Sequence, residues 1–126
     1  MVKRIAAQYV CLPSVPVLKQ HVVELDETVF RNVFPLEREI ASVSFFNGIL
    51  ILLKQDIHPV DLFNRLKMES EQQPQTSIFQ LLEQQSFTKI KKGDTVFSYL
   101  LEGIDLLTAK FGTSNSRSHC HIQRLG

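Results

Sequence analysis

The stretch whose reading decides the fold is Ala41-Ser42-Val43-Ser44-Phe45-Phe46-Asn47-Gly48-Ile49-Leu50-Ile51-Leu52-Leu53. Its first part, Ala41 to Phe45, alternates apolar and polar residues, as a strand with one wet face should. Its last part is an uninterrupted aliphatic run. Between them stands Asn47-Gly48, the dipeptide that suits a two-residue hairpin because both residues tolerate positive φ. The pattern predicts a hairpin in which Ile49 to Leu53 fold back on the preceding strand. The aliphatic run is far too short to cross a bilayer.

Working outward, the residues before this stretch also read as strands. Val2 to Cys11 alternates loosely, which predicts Ile5, Ala7, Tyr9 and Cys11 on one face. Pro13 and Pro16 interrupt any ladder that follows. Gln20 to Leu25 places His21, Val23 and Leu25 together, Asp26-Glu27-Thr28 makes a turn, and Val29 to Phe34 forms the next strand. After Leu53 the period changes. His58-Pro59 offers a helix start, with Asp61 in the positive first turn and Val60, Phe63 and Leu66 at helical spacing. Glu69 to Gln75 reads as a polar loop broken by Pro74. Ser77 with Gln80 forms a capping box for a second short helix, whose apolar stripe is Ile78, Leu81 and Leu82.

Beyond the helices, Lys92-Gly93-Asp94 is a turn, and Thr95 to Leu101 alternates again, with Phe97, Tyr99 and Leu101 inward. Ile104 to Leu107 is ambiguous, fitting one helical turn. Gly112 to Ser116 reads as a loop and Ser118 to Leu125 as the last strand. Strands, then helices, then strands give an α+β, mainly β domain. A chain of 126 residues supports one such domain, 1–126, with strands over 1–53, a helical insert over 58–86 and strands over 95–125.

Composition narrows the function classes. Apolar residues make up 44% and charged residues 21%, the balance of a globular domain. Fourteen basic residues oppose thirteen acidic ones, and the basic ones are scattered. Neither nucleic acid nor an anionic membrane is therefore expected as a partner. The N-terminal stretch has the basic start of a signal peptide, but Gln8 interrupts its apolar run. A cytoplasmic location and free thiols at Cys11 and Cys120 are the expectation. The two cysteines would be neighbours only if the terminal strands pair.

Several stretches together resemble the amidohydrolase superfamily of metal-dependent hydrolases. Arg4 to Val10 followed by Lys19 to Asp26 resembles the family's opening strand and hairpin, and Phe45 to Ile51 resembles the segment that leads into its catalytic barrel. Leu62 to Leu66 and Ser77 to Leu82 resemble the last helices of that barrel. Lys91 to Asp94, with Val96 to Leu101 and Gly103 to Leu106, resembles the family's closing sandwich strands. The resemblance implies a composite β-sandwich of N- and C-terminal strands with two short helices inserted. A (β/α)₈ barrel takes on the order of 250 residues, whereas five residues separate Leu53 from Pro59. The barrel is missing, and so are the Pro-Gly and the His-x-His that follow the third apolar position in the family. No catalytic residue of the family has a counterpart here.

What chemistry remains lies elsewhere. His119 and His121 are two apart, so on a strand both imidazoles would share one face and could hold one ion. A catalytic zinc takes three protein ligands, and no third lies at the usual spacing. The pair reads better as exposed histidines on an edge strand. Cys11 and Cys120 lack the neighbouring base that a nucleophilic thiol requires. Ser42 and Ser44 fit a wet strand face, and no phosphate loop or nucleophile elbow occurs. Phe45, Phe46, Ile49, Ile51, Leu53, Phe63 and Leu66 make a large apolar set. Most belong in a core, but a sandwich without its barrel would expose such a face and bury it against a partner. The expectation is therefore a non-catalytic, amidohydrolase-like structural or interaction module without a cofactor, pairing with a second copy or a separately encoded protein. The alternatives are a hydrolase of carbon–nitrogen bonds with zinc or iron at His119 and His121, and a small-ligand binding protein using the gap between the sandwich and the two helices.

Overall fold

The aliphatic run Ile49 to Leu53 sits at the centre of the molecule and is buried along its whole length. In the computed structural model, residues 2–13, 15–36, 43–85, 87–103 and 121–125 are described. The elements in chain order are β1 (Val2–Cys11), β2 (Leu18–Asp26), β3 (Val29–Pro35), β4 (Val43–Leu53), α1 (Pro59–Gln72), α2 (Ile78–Glu83), β5 (Phe97–Glu102) and β6 (His121–Leu125). The strands form one mixed sheet in the order β3-β2-β1-β4-β5-β6. The fold is thus α+β and mainly β, with strands from both ends of the chain joined where β4 pairs β5 and both helices inserted between them. The stretches expected around Ile104 to Leu107 and Gly112 to Ser116 lie outside the described residues.

The hairpin expected at Asn47-Gly48 does not form. Val43 to Leu53 is one strand, parallel to β1 along its length and antiparallel to β5 over Ile49 to Leu53. A turn dipeptide expresses a local preference on the order of 1 kcal/mol. Burying five aliphatic side chains on both faces of a central strand stabilises by on the order of 10 kcal/mol. Burial outweighs the turn preference, and a continuous aliphatic run is what a strand buried on both faces requires.

Asn47-Gly48 instead absorbs an irregularity. Between the paired levels Ala7↔Phe46 and Tyr9↔Ile49, β4 takes three residue steps and β1 takes two. Inward–outward alternation is therefore kept along β4 and reversed along β1. Ile5, Ala7, Val10 and Leu12 point into one cluster, Tyr9 and Cys11 into the other, so the single face expected for Ile5, Ala7, Tyr9 and Cys11 is split. The register His21↔Ala7 and Lys19↔Tyr9 sets Gln20 opposite Gln8. Gln20 has φ +53°, and the Oε1 of Gln8 is buried without a hydrogen-bond partner among the described residues. One line of departures, Gln20, Gln8 and Asn47-Gly48, thus crosses three strands. Gly48 has φ +142°, and a Cβ there would stand 2.4 Å from the carbonyl oxygen of Leu101 on β5.

The two faces of the sheet make two cores. Ile49, Ile51 and Leu53 of β4, with Tyr99, Leu101 and Ile122, meet Leu62 and Leu66 of α1 and Ile78, Leu81 and Leu82 of α2. Leu50 and Leu52 point the other way, onto Ile5, Val10, Val23, Leu25, Phe30 and Val96. That second cluster is enclosed because the sheet rolls up. The free edge of β3 meets the turn before β5: Phe30 N–H donates to Asp94 O and Gly93 N–H to Phe30 O, each at 2.8 Å. Val29 and Thr95 form a bridge between them.

The helices hold local features that the sequence announces. His58 caps α1, its Nδ1 accepting from Val60 N–H at 3.2 Å, and Ser77 and Gln80 form the reciprocal box on α2. Helix α1 runs on to Gln72, so Glu69 to Gln72 are helical rather than part of the expected loop. Glu and Gln favour helix, and Pro74 then disfavours helix at the residue before it. The buried Tyr99 hydroxyl accepts from Ile57 N–H at 2.8 Å and donates to Ile57 O at 2.7 Å, pinning the β4–α1 connection to the sheet.

Two glycines separate crowding from backbone strain. Gly48→Ala combines a positive φ with a collision against backbone and should destabilise the fold by about 2–5 kcal/mol. Gly93, at φ +95° with nothing within 4 Å of a Cβ, carries only the conformational cost. Gly93→Ala should cost about 1–2 kcal/mol. Urea unfolding of both variants checks this, and equal losses would contradict the close approach at Gly48.

Candidate functional site

Rolling the sheet leaves its inner core open at one end. There a cleft of about 90 Å³ lies between the start of β1, the β2–β3 turn, the entry to β5 and the end of β6. Strand geometry explains which residues line it. Lys3 pairs with Leu25, and Leu25 points into the inner core, so Lys3 stands on the same side, one level out from the Ile5–Val23 pair. Ser98 pairs with Leu52 on one side and Leu125 on the other, both of which pack on that core. Leu25, Val96 and Ser98 are the buried part of the lining, each under a tenth exposed, while Lys3, Glu27 and Thr28 stand at the mouth.

Apart from the Tyr99 hydroxyl, Ser98 is the one polar residue buried in the core of the described residues, at 6% exposure. No hydrogen bond of Ser98 Oγ to protein occurs among the described residues, where the fully buried side-chain atoms without a partner are Gln8 Oε1 and Gln55 Oε1. The Ser98 hydroxyl therefore opens on the cleft and is left for whatever enters it. Lys3 and Glu27 form no ion pair among the described residues either. Arg124, also at the cleft, is committed elsewhere. Its guanidinium lies over the Phe97 ring, 4.6 Å from the centroid, and pairs with Asp56.

The residues singled out by sequence fall in other places. His119 and the side chain of His121 lie outside the described residues, as does Cys120. Strand β6 pairs β5, and β1 lies between β2 and β4, so the terminal strands that would bring Cys11 and Cys120 together do not pair. His58 is a helix cap. Among the described residues no three His, Cys, Asp or Glu side chains gather to hold a metal ion, and no helix is long and apolar enough to cross a membrane.

The apolar set offered as an interface is mostly interior. Ile49, Ile51, Leu53 and Leu66 are at most 1% exposed, because the chain's own helices cover the sheet face that the sequence left unpartnered. Phe63 packs at the margin of that core and Phe46 at the margin of the inner one. Only Phe45 of the seven remains well exposed, at 49%. Ser98 and Lys3 carry no signal in the sequence for a simple reason. Serine in an alternating strand reads as a wet position, and only the rolled sheet turns that face inward.

Cys11 is a free, buried cysteine. Burial first, and the charge of Glu83 second, push its thiol up to about 12. At neutral pH it is a small apolar core residue and no nucleophile. An unfolded thiol ionises near pH ~8.5, so above that the unfolded state holds fewer protons than the folded one. Stability is then lost as pH rises toward 12, with a slope of at most about 1.4 kcal/mol per pH unit from this group. Cys11→Ala should lack that component. In urea titrations from about pH 8 to about pH 11 the stability difference between parent and variant should shrink, and parallel curves would refute the assignment.

Comparison with protein-family models, with curated proteins and with solved structures returns no match to this chain.

Proposed function

We propose that this chain is a small-molecule binding module, using the cleft at the open end of the rolled sheet. The observation that carries this reading is Ser98, a residue only 6% exposed whose hydroxyl has no protein partner among the described residues and opens on a cleft with Lys3 and Glu27 at its mouth. A hydroxyl that opens on a cleft is completed by water or by a ligand bound there. Apolar walls with a few convergent polar groups are the usual make-up of a ligand site. The ligand-binding alternative read from the sequence is kept, but its location moves. It is the end of the rolled sheet, not the space between sheet and helices.

The amidohydrolase resemblance is a reading of strand and turn patterns. It is supported by the way the strands before and after the helices join into one sheet. On that reading the module descends from a composite domain and works by binding rather than by turnover. Self-association through the sheet face is the weaker proposal, since helices α1 and α2 already occupy that face.

A thermal-shift panel of compounds with a handful of non-hydrogen atoms tests the binding reading. A ligand at about 100 times its Kd adds about 2.7 kcal/mol of apparent stability. Compounds that raise the melting temperature of the parent should have no effect on Ser98→Leu, which fills the cleft. A panel without any stabilising compound, or shifts undiminished in Ser98→Leu, would sink the proposal.

A further inference from the structure

The charges at the cleft point to the kind of molecule it takes. Lys3 and Glu27 flank the mouth with opposite sign, and neither is neutralised by a neighbour among the described residues. Arg124 and Asp56 satisfy each other. A simple anion drawn to Lys3 would be repelled by Glu27, and a simple cation drawn to Glu27 would be repelled by Lys3. A molecule with one charge of each sign satisfies both. Inside the mouth, the Ser98 hydroxyl can donate to a carboxylate oxygen, and Leu25, Val96 and Leu125 offer apolar contact to a short stem.

Size sets the remaining limit. A cavity needs roughly 10–15 Å³ by this measure to hold one water, so 90 Å³ admits several non-hydrogen atoms and excludes a nucleotide or a sugar chain.

We propose that the cleft binds a small zwitterion of α-amino-acid type, of about the size of glycine or alanine. Its carboxylate lies toward Lys3 and the Ser98 hydroxyl, and its ammonium group toward Glu27. This inference rests on the binding reading above and adds the ligand class to it. The ligand is held by two charges on separate elements, β1 and the β2–β3 turn, with the hydroxyl of Ser98 on β5 as the anchor inside. Thr28 at the rim supplies a second hydroxyl.

The test is an amide NMR titration of the intact chain with alanine, acetate, methylammonium and acetamide, each at matched ionic strength. Alanine should give saturable shifts centred on Thr28, Ser98 and their strand neighbours. Acetate and methylammonium should each bind at least about tenfold more weakly, since each keeps only one of the two charge contacts. Lys3→Gln and Ser98→Ala should each weaken alanine by about tenfold. Lys3 is exposed at a strand end, so its variant retains the fold and its titration remains readable. If acetate, methylammonium or acetamide shifts the same amides as strongly as alanine, the zwitterion is overturned while the cleft stands as a binding site. If none of the four shifts them, both the ligand class and the binding reading fall.

Discussion

Everything in this fold depends on β4 being buried on both sides. A strand that carries Ile49, Ile51 and Leu53 on one face and Leu50 and Leu52 on the other needs a layer against each. The chain supplies the first with two short helices and the second by rolling the sheet around an inner core. Neither layer is independent of the other, because both rest on the same five residues. The parallel pairing with β1 on one flank and the antiparallel pairing with β5 on the other satisfy its backbone. The connection after β4 is then held down by the Tyr99 hydroxyl, which bonds both the N–H and the carbonyl of Ile57.

Rolling the sheet demands a bend, and the bend has a defined place. At the level of Gln8 three strands depart from regular pleating together, through Gln20 at positive φ, the reversal of facing in β1, and the extra residue at Asn47-Gly48. The β2–β3 pairing has its own irregularity, where Arg31 is passed over between Glu24↔Asn32 and Leu25↔Phe30. Such bulges raise local twist and are how a sheet is brought round on itself. The cleft follows from the same geometry. The core side chains fill the middle of the rolled sheet, while the end near Lys3 and Ser98, lined partly by polar and charged side chains, stays open.

The sequence shows the elements more clearly than their arrangement. β1 is legible to the residue, because a turn signal follows it closely at Pro13, and the capping box at Ser77 and Gln80 marks α2 without ambiguity. The β2–β3 hairpin is legible from Asp26 to Thr28. The departure at Asn47-Gly48 has a physical cause. Turn propensity is local and small, whereas the pairing that overrides it joins residues about forty positions apart and shows only as an aliphatic run. That run also misleads about surface, since a strand buried by its own chain and one buried by a partner have the same composition. The cleft is invisible in the sequence for the complementary reason. Ser98 and Lys3 are common residues at ordinary spacing, and they meet only because β1 and β5 curve toward the same end of the core.

The fold stands or falls on whether Ile49 to Leu53 pair in parallel with β1 rather than fold back on Val43 to Phe46. Backbone nuclear Overhauser effects decide it most directly. Parallel pairing predicts cross-strand contacts between Tyr9 and Ile49 and between Val10 and Leu50, with Leu50 meeting Leu100 on the other flank. Contacts between Phe46 and Ile49 and between Phe45 and Leu50, the ladder of a hairpin at Asn47-Gly48, would contradict it.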